Sequence, residues 1–122
     1  MSAEYTIELF SKISDNQTLK AGDVIFKAGD AGNVMYGIIS GTVAMQVEGK
    51  TVETIEAGDV FGEGALVNPD KLRRSTAIAQ SDCELAVLNE ERFKFLIENT
   101  PTFAIDVMRS YSDRLQRFKH VI

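Results

Sequence analysis

Ala57-Gly58-Asp59-Val60-Phe61 repeats an earlier stretch, Ala21-Gly22-Asp23-Val24, and Ala28-Gly29-Asp30 is a third, partial copy. Gly-Asp is a turn pair: glycine supplies a positive φ, and the aspartate side chain bonds the backbone that follows it. Apolar residues come after each copy. A repeated turn-and-strand unit predicts a mainly-β fold, a jelly-roll (cupin-like) β-barrel that closes its own edges. Reading outward, residues 17–88 are rich in Gly, Val, Ile and Thr, with frequent turn signals, as in a run of short strands. Upstream, Tyr5, Ile7, Leu9, Phe10 and Ile13 have a loose helical spacing and predict a short N-terminal helix within residues 1–16. Downstream the glycines stop. Asn89 caps a helix through Ile97, with Glu90 and Glu91 in its first turn. Thr100-Pro101 opens a second helix that runs to the end of the chain. The whole, 1–122, reads as one domain: N-terminal segment 1–16, barrel 17–88, C-terminal helices 89–122.

Bulk properties narrow the function. A chain of 122 residues suits a single domain. The net charge of −5 argues against direct contact with nucleic acid, which wants clustered Lys and Arg. It leaves room for a small anion, since a pocket needs only one or two well-placed cations. Cys83 is the single cysteine, so no internal disulfide forms, and its apolar setting reads as a buried small hydrophobe. Met1-Ser2-Ala3-Glu4-Tyr5 is not a signal peptide, and no apolar stretch approaches the ~20 residues of a membrane helix. A cytoplasmic location, off the membrane, is expected. His120 is the sole histidine. A cupin-type metal enzyme, or Ser-His or Cys-His catalysis, lacks its ligands and bases. No enzyme, metal or cofactor is expected.

The chemistry sits after the third turn. Phe61-Gly62-Glu63-Gly64-Ala65-Leu66 follows the strand Asp59-Val60-Phe61, and Arg73-Arg74-Ser75 opens a strand Arg73–Ala79. Two glycines let the backbone approach a ligand, and a helical turn after them aims N–H groups outward as an anion site. Alternation puts Arg73, Ser75, Ala77 and Ala79 on one face and Arg74, Thr76 and Ile78 on the other. The small-residue face either leaves space or packs against a bulky neighbour. A carboxylate repels phosphate, so Glu63 suits a sugar hydroxyl, while Arg73 or Arg74 suits the phosphate. The alternative is an Arg–Glu salt bridge that only steadies the loop.

Phe61-Gly62-Glu63-Gly64-Ala65-Leu66 with Arg73-Arg74-Ser75-Thr76-Ala77 resembles the phosphate-binding cassette of the cyclic-nucleotide-binding family. That family includes the catabolite activator protein, the regulatory subunits of cAMP-dependent protein kinase and cyclic-nucleotide-gated channels. The likeness extends through Gly22-Asp23, Gly29-Asp30, Tyr36–Gly41 and Gly58-Asp59, over roughly residues 5–118. It implies a regulatory sensor that binds cAMP or cGMP without catalysis. Glu63 would hold the ribose 2′-hydroxyl, N–H groups around Gly62, Gly64 and Ala65 the cyclic phosphate, and an arginine would pair with that phosphate. Register from Ala79 favours Arg73, and the local pair Arg-Ser favours Arg74. Arg73 is preferred because it needs no gap and shares its face with small residues. Gly64 stands where the family usually has Leu or Met. Phe118-Lys119 stands where the catabolite activator has a Thr-Ser pair reading adenine, which leaves base selectivity open.

Ala104, Met108, Tyr111, Leu115, Phe118 and Ile122 form a heptad seam. The seam predicts a homodimer through residues 104–122, with Phe118 stacking on the base; the alternative is a helix lying on its own barrel. Phe103 and Val107 could serve the inner face. No helix-turn-helix, kinase or channel segment lies within the sequence, so the chain is a piece of a larger protein or a stand-alone sensor. The competing reading is a barrel without ligand that serves as a dimerisation or docking module.

Overall fold

The three Gly-Asp copies fold into the same turn. A computed structural model of the chain describes residues 15–121, with side chains through Lys119. Gly22, Gly29 and Gly58 take φ of +94°, +90° and +93°. In each turn the aspartate N–H donates to the carbonyl three residues back: Asp23 to Lys20 at 2.9 Å, Asp30 to Lys27 at 3.0 Å, Asp59 to Glu56 at 2.9 Å. The carboxylate reaches back as well and accepts that same residue's N–H at 2.9, 3.1 and 3.1 Å. The expected forward bond is therefore replaced by a backward clasp, closing both polar groups of the turn's first residue.

These turns punctuate eight strands: β1 (Asp15–Leu19), β2 (Val24–Phe26), β3 (Val34–Ser40), β4 (Thr42–Val47), β5 (Lys50–Glu56), β6 (Val60–Phe61), β7 (Thr76–Ala79) and β8 (Cys83–Asn89). Among the described residues three helices join them: α1 (Gly64–Val67), α2 (Glu90–Asn99) and α3 (Thr102–Val121). The strands form two antiparallel four-stranded sheets, ordered β1-β8-β3-β6 and β2-β7-β4-β5. The fold is mainly β with a jelly-roll pattern, but the sheets do not close into a barrel. Two of the four edge strands, β6 and β2, run only two and three residues and offer little backbone for a ladder between the sheets.

Sheet β1-β8-β3-β6 is covered on both faces. Tyr36, Ile38, Phe61 and Leu85 turn toward the second sheet and meet Val43, Met45, Ile55, Ala77 and Ala79 there. The alternate residues Met35, Val60, Ala86 and Leu88 turn outward and pack with Leu66, Leu96 and Phe103 from the helices. Fully buried side chains such as Phe61, Phe103 and Ile38 contribute about 1.5–3 kcal/mol each. The helical coat begins as expected, with Asn89 Oδ1 accepting the Arg92 N–H at 2.9 Å, and α2 runs two residues beyond Ile97. Cys83 is buried, as read from its neighbours. The proposed N-terminal helix over residues 4–13 lies outside the described residues, as does Ile122 of the seam. No helix among the described residues is long and apolar enough to cross a membrane.

Candidate functional site

A cleft of about 310 Å³ opens where the loop after β6 faces the segment before β7. Its lining includes Phe61, Gly62, Glu63, Gly64, Ala65, Arg73, Arg74 and Ser75. Sequence reading named all of these. Leu66 points instead into the core beneath α3. Phe118 is 42% exposed and outside the lining, two turns past Tyr111 on α3. The strand expected at Arg73 begins at Thr76, so both arginines sit on the lead-in to it.

That lead-in is nonetheless fixed. Arg73 N–H donates to Asp30 O at 2.8 Å, Gly29 N–H to Arg73 O at 2.8 Å, and Gly32 N–H to Lys71 O at 2.9 Å. The second Gly-Asp turn thus grips residues 71–73 and carries the strand alternation upstream. Arg73 turns inward and is 6% exposed, while Arg74 turns out to pair with Asp70 at 2.9 Å.

The Arg73 guanidinium lies 4.1 Å above the Phe26 ring, on a floor of Phe26, Tyr36 and Phe61. Its Nη1 donates to Gly62 O at 2.7 Å and its Nη2 to Val34 O at 2.8 Å. Among the described residues Nε has no partner. Gly62 holds φ +80°, and a Cβ there would lie 2.8 Å from Nη1. A Cβ on Gly32 would lie 2.5 Å from Nε and 2.6 Å from Cζ. The charge is buried without an acid in contact. Burial pushes its pKa below the ordinary arginine value, against the fields of Tyr36, Glu63 and Asp30.

Glu63 precedes α1 and makes no capping bond with its side chain. Its carbonyl accepts from Leu66 N–H at 2.8 Å and Val67 N–H at 3.1 Å, while the Ala65 N–H reaches Gly62 O at a long 3.3 Å. One carboxylate oxygen, Oε2, accepts from the Tyr111 hydroxyl of α3. The Arg–Glu salt bridge considered from sequence is absent among the described residues: neither arginine pairs with Glu63. Gly64 leaves the cleft wall open, and a side chain there would meet only the tip of Asn68, at 2.9 Å from its Nδ2.

Nine lining residues escaped the sequence reading: Phe26, Met45, Val47, Val52, Glu53, Asn68, Leu72, Tyr111 and Arg114. Arg114 donates from Nε and Nη2 to the two Glu53 oxygens at 2.7 and 3.0 Å and from Nη1 to Val60 O. Burial opposes its charge, yet the Glu53 carboxylate holds its pKa above the ordinary value. Its guanidinium also lies 4.3 Å over the Tyr111 ring. Ser110 Oγ donates to Asp59 Oδ1 at 3.2 Å. One face of α3 thus carries Phe103, Asp106, Ser110 and Arg114, all buried. Tyr111, counted in the outer seam from sequence, is half-buried and belongs to the cleft. Polar residues interrupt this inner face, so apolar spacing alone could not find it. The signal available was the i, i+4 pair Ser110–Arg114 on the stripe begun by Phe103.

The cyclic nucleotide-binding domain family profile matches residues 16–100. A cAMP-dependent protein kinase regulatory subunit of Hypocrea atroviridis is 40% identical over 90 residues, covering 71% of this chain and 19% of that protein. The cAMP-activated global transcriptional regulator CRP of Pasteurella multocida is 28% identical over 120 residues, covering 94% of this chain and 57% of that protein. The chain therefore spans a fifth to somewhat over half of these relatives. Among solved structures, the Thermus thermophilus catabolite activator protein superposes with a TM-score of 0.76 at 27% identity, over 94% of this chain and 56% of that one. With the profile covering most of the strands and the cleft built from its glycine-flanked loop and buried arginine, the chain belongs to the cyclic nucleotide-binding domain family.

Proposed function

We propose that the cleft is a sensor site for a cyclic purine nucleotide, cAMP or cGMP, and that the phosphate lies against Arg73. The observation that carries this reading is Arg73 itself. Removing an ion from water costs several kcal/mol, and attraction to a partner repays that only with good geometry. Here the guanidinium is buried against two carbonyls and an aromatic face, with no carboxylate in contact and Nε unpartnered. An anion in the cleft supplies the missing charge. Arg74 is already engaged by Asp70 at the surface. The open backbone at Gly62 and Gly64 admits the phosphate, Glu63 accepts from the ribose 2′-hydroxyl, and Ser75 lies beside it in the lining. Met45, Val47 and Val52 supply apolar surface for the faces of the base. The volume falls at the small end of the usual ligand range of roughly 300–1,000 Å³. Both curated relatives described above carry cAMP in their names, which favours cAMP as the first ligand to test.

Assembly is part of the proposal. Ile105, Met108, Leu115 and Phe118 of α3 are 49%, 62%, 56% and 42% exposed and apolar. We place the homodimer contact on this stripe, with Phe118 in it rather than over the base, and with Tyr111 left to the cleft. Titrating the chain with cAMP, cGMP and linear 5′-AMP tests the site. A cyclic nucleotide should bind, and more tightly than the linear one. Silence from both cyclic ligands would leave a docking module and overturn the reading.

A further inference from the structure

We propose that Tyr111 is a positioning residue for sugar recognition: its hydroxyl holds one oxygen of Glu63 so that the other is aimed at the ligand, and Glu53 with Arg114 anchors it. The inference rests on the cyclic-nucleotide reading above and adds to it where hydroxyl selectivity comes from.

A glutamate side chain has three torsions and loses much freedom when fixed. Glu63 does not cap α1, and neither cleft arginine pairs with it. Among the described residues its side chain's hydrogen bond is the one Tyr111 donates to Oε2. A carboxylate offers about four acceptor positions on two oxygens, so one phenol leaves Oε1 free to accept a sugar hydroxyl. The carboxylate therefore reaches the ligand already oriented.

The Tyr111 ring lies under the Arg114 guanidinium at 4.3 Å. Arg114 is 5% exposed and fixed by two bonds to Glu53 and one to Val60 O. One helical turn earlier, Ser110 is tied to Asp59, and Phe103 is fully buried in the core. Strands β5 and β6 thus set the position of the phenol, and the ligand does not. Burial and the Glu63 charge both raise the Tyr111 pKa, so the phenol remains a donor throughout the neutral range. Sugar-hydroxyl selectivity then depends on Glu53, a β5 residue whose carboxylate is committed to Arg114 and makes no bond to Glu63.

The test compares cAMP with 2′-deoxy-cAMP by calorimetric titration on the wild type, Tyr111→Phe, Glu53→Gln and the double variant. A bond from a hydroxyl to a charged acceptor gives the wild type roughly a 10- to 100-fold preference for cAMP. Tyr111→Phe keeps the ring and its stacking, and should lower that ratio about three-fold or more, with cAMP losing more affinity than the deoxy analogue. Glu53→Gln should move the ratio the same way by less, and should add little in the Tyr111→Phe background. Thermal melts of each variant establish that it is folded. A Tyr111→Phe ratio equal to wild type would make Tyr111 a packing residue and overturn the proposal. Tighter cAMP binding by Tyr111→Phe would make the phenol a competitor, and overturns it too. A wild type that binds both ligands equally removes Glu63 from the ribose, and one that binds neither removes the cyclic-nucleotide reading itself.

Discussion

Substituting Gly32 by alanine should displace Arg73 without touching it. The new Cβ would lie 2.5 Å from Nε, 2.6 Å from Cζ and 2.7 Å from Nη2, inside any tolerable contact. The clash falls on the root and centre of the guanidinium, so a small rotation of its tip does not relieve it. Gly32 itself lies outside the left-handed region that favours glycine, and its backbone accepts alanine. Arg73 must therefore leave the carbonyls of Gly62 and Val34 and the face of Phe26. Against the loss of two charge-assisted bonds, about 1.5–3 kcal/mol each, and of the cation–π contact, about 0.5–2 kcal/mol, stands the several kcal/mol of desolvation recovered when the unpaired charge returns to water. A net loss of no more than about 2 kcal/mol follows. With an unfolding entropy of about 2.1 cal/mol/K per residue over 122 residues, that lowers Tm by no more than roughly 8 °C. The assay is thermal unfolding followed by circular dichroism on Gly32→Ala, Arg73→Ala and the double variant. With Arg73 already truncated the methyl meets open space, and Gly32→Ala should be neutral or stabilising by up to about 1 kcal/mol through the unfolded chain. An equal cost in both backgrounds would locate the strain in the loop backbone and refute the placement of Arg73.

Other expectations follow from the helix and its clamp. Arg114→Ala leaves the Glu53 carboxylate in a largely buried site without its cation and should cost about 3–5 kcal/mol in urea unfolding; a loss below about 1 kcal/mol would mean the pair is screened by solvent. Leu115→Asp puts a charge in the exposed α3 stripe and should halve the mass seen in sedimentation equilibrium, with folding intact because Leu115 is 56% exposed. A variant that sediments like the wild type ends the dimer proposal. Glu63→Gln should weaken cAMP more than 2′-deoxy-cAMP in equilibrium titration, since the better acceptor matters only when the hydroxyl is present. Equal losses for the two ligands would take Glu63 off the sugar.

Local chemistry was readable and distant partnerships were not. The Gly-Asp copies announced three turns because glycine and aspartate fix that geometry within four residues. Alternation put Arg73 on the buried face with Ala77 and Ala79 even though β7 begins later, because the second turn prolongs the pairing upstream. The Asn89 cap was legible for the same local reason. Barrel closure was not, since it depends on how many residues each edge strand contributes to a ladder. The Glu53–Arg114 and Glu63–Tyr111 contacts join residues 61 and 48 positions apart, beyond any local pattern. Tyr111 also looked like one more apolar member of the seam. On a helix, 111 lies between the exposed stripe and the buried face, and its hydroxyl decided the side by finding a carboxylate in the cleft.

On the proposed reading, the anion of a cyclic nucleotide completes the charge of Arg73. Calorimetric titration of cAMP and cGMP into the wild type, Arg73→Ala and Arg74→Ala is the decisive measurement. The wild type should bind at least one of the two, Arg73→Ala should lose about 2–5 kcal/mol of binding energy, and Arg74→Ala should lose less than about 1.4 kcal/mol, a factor of ten. Arg73→Ala binding normally while Arg74→Ala fails, or a wild type that takes up neither nucleotide, would contradict it.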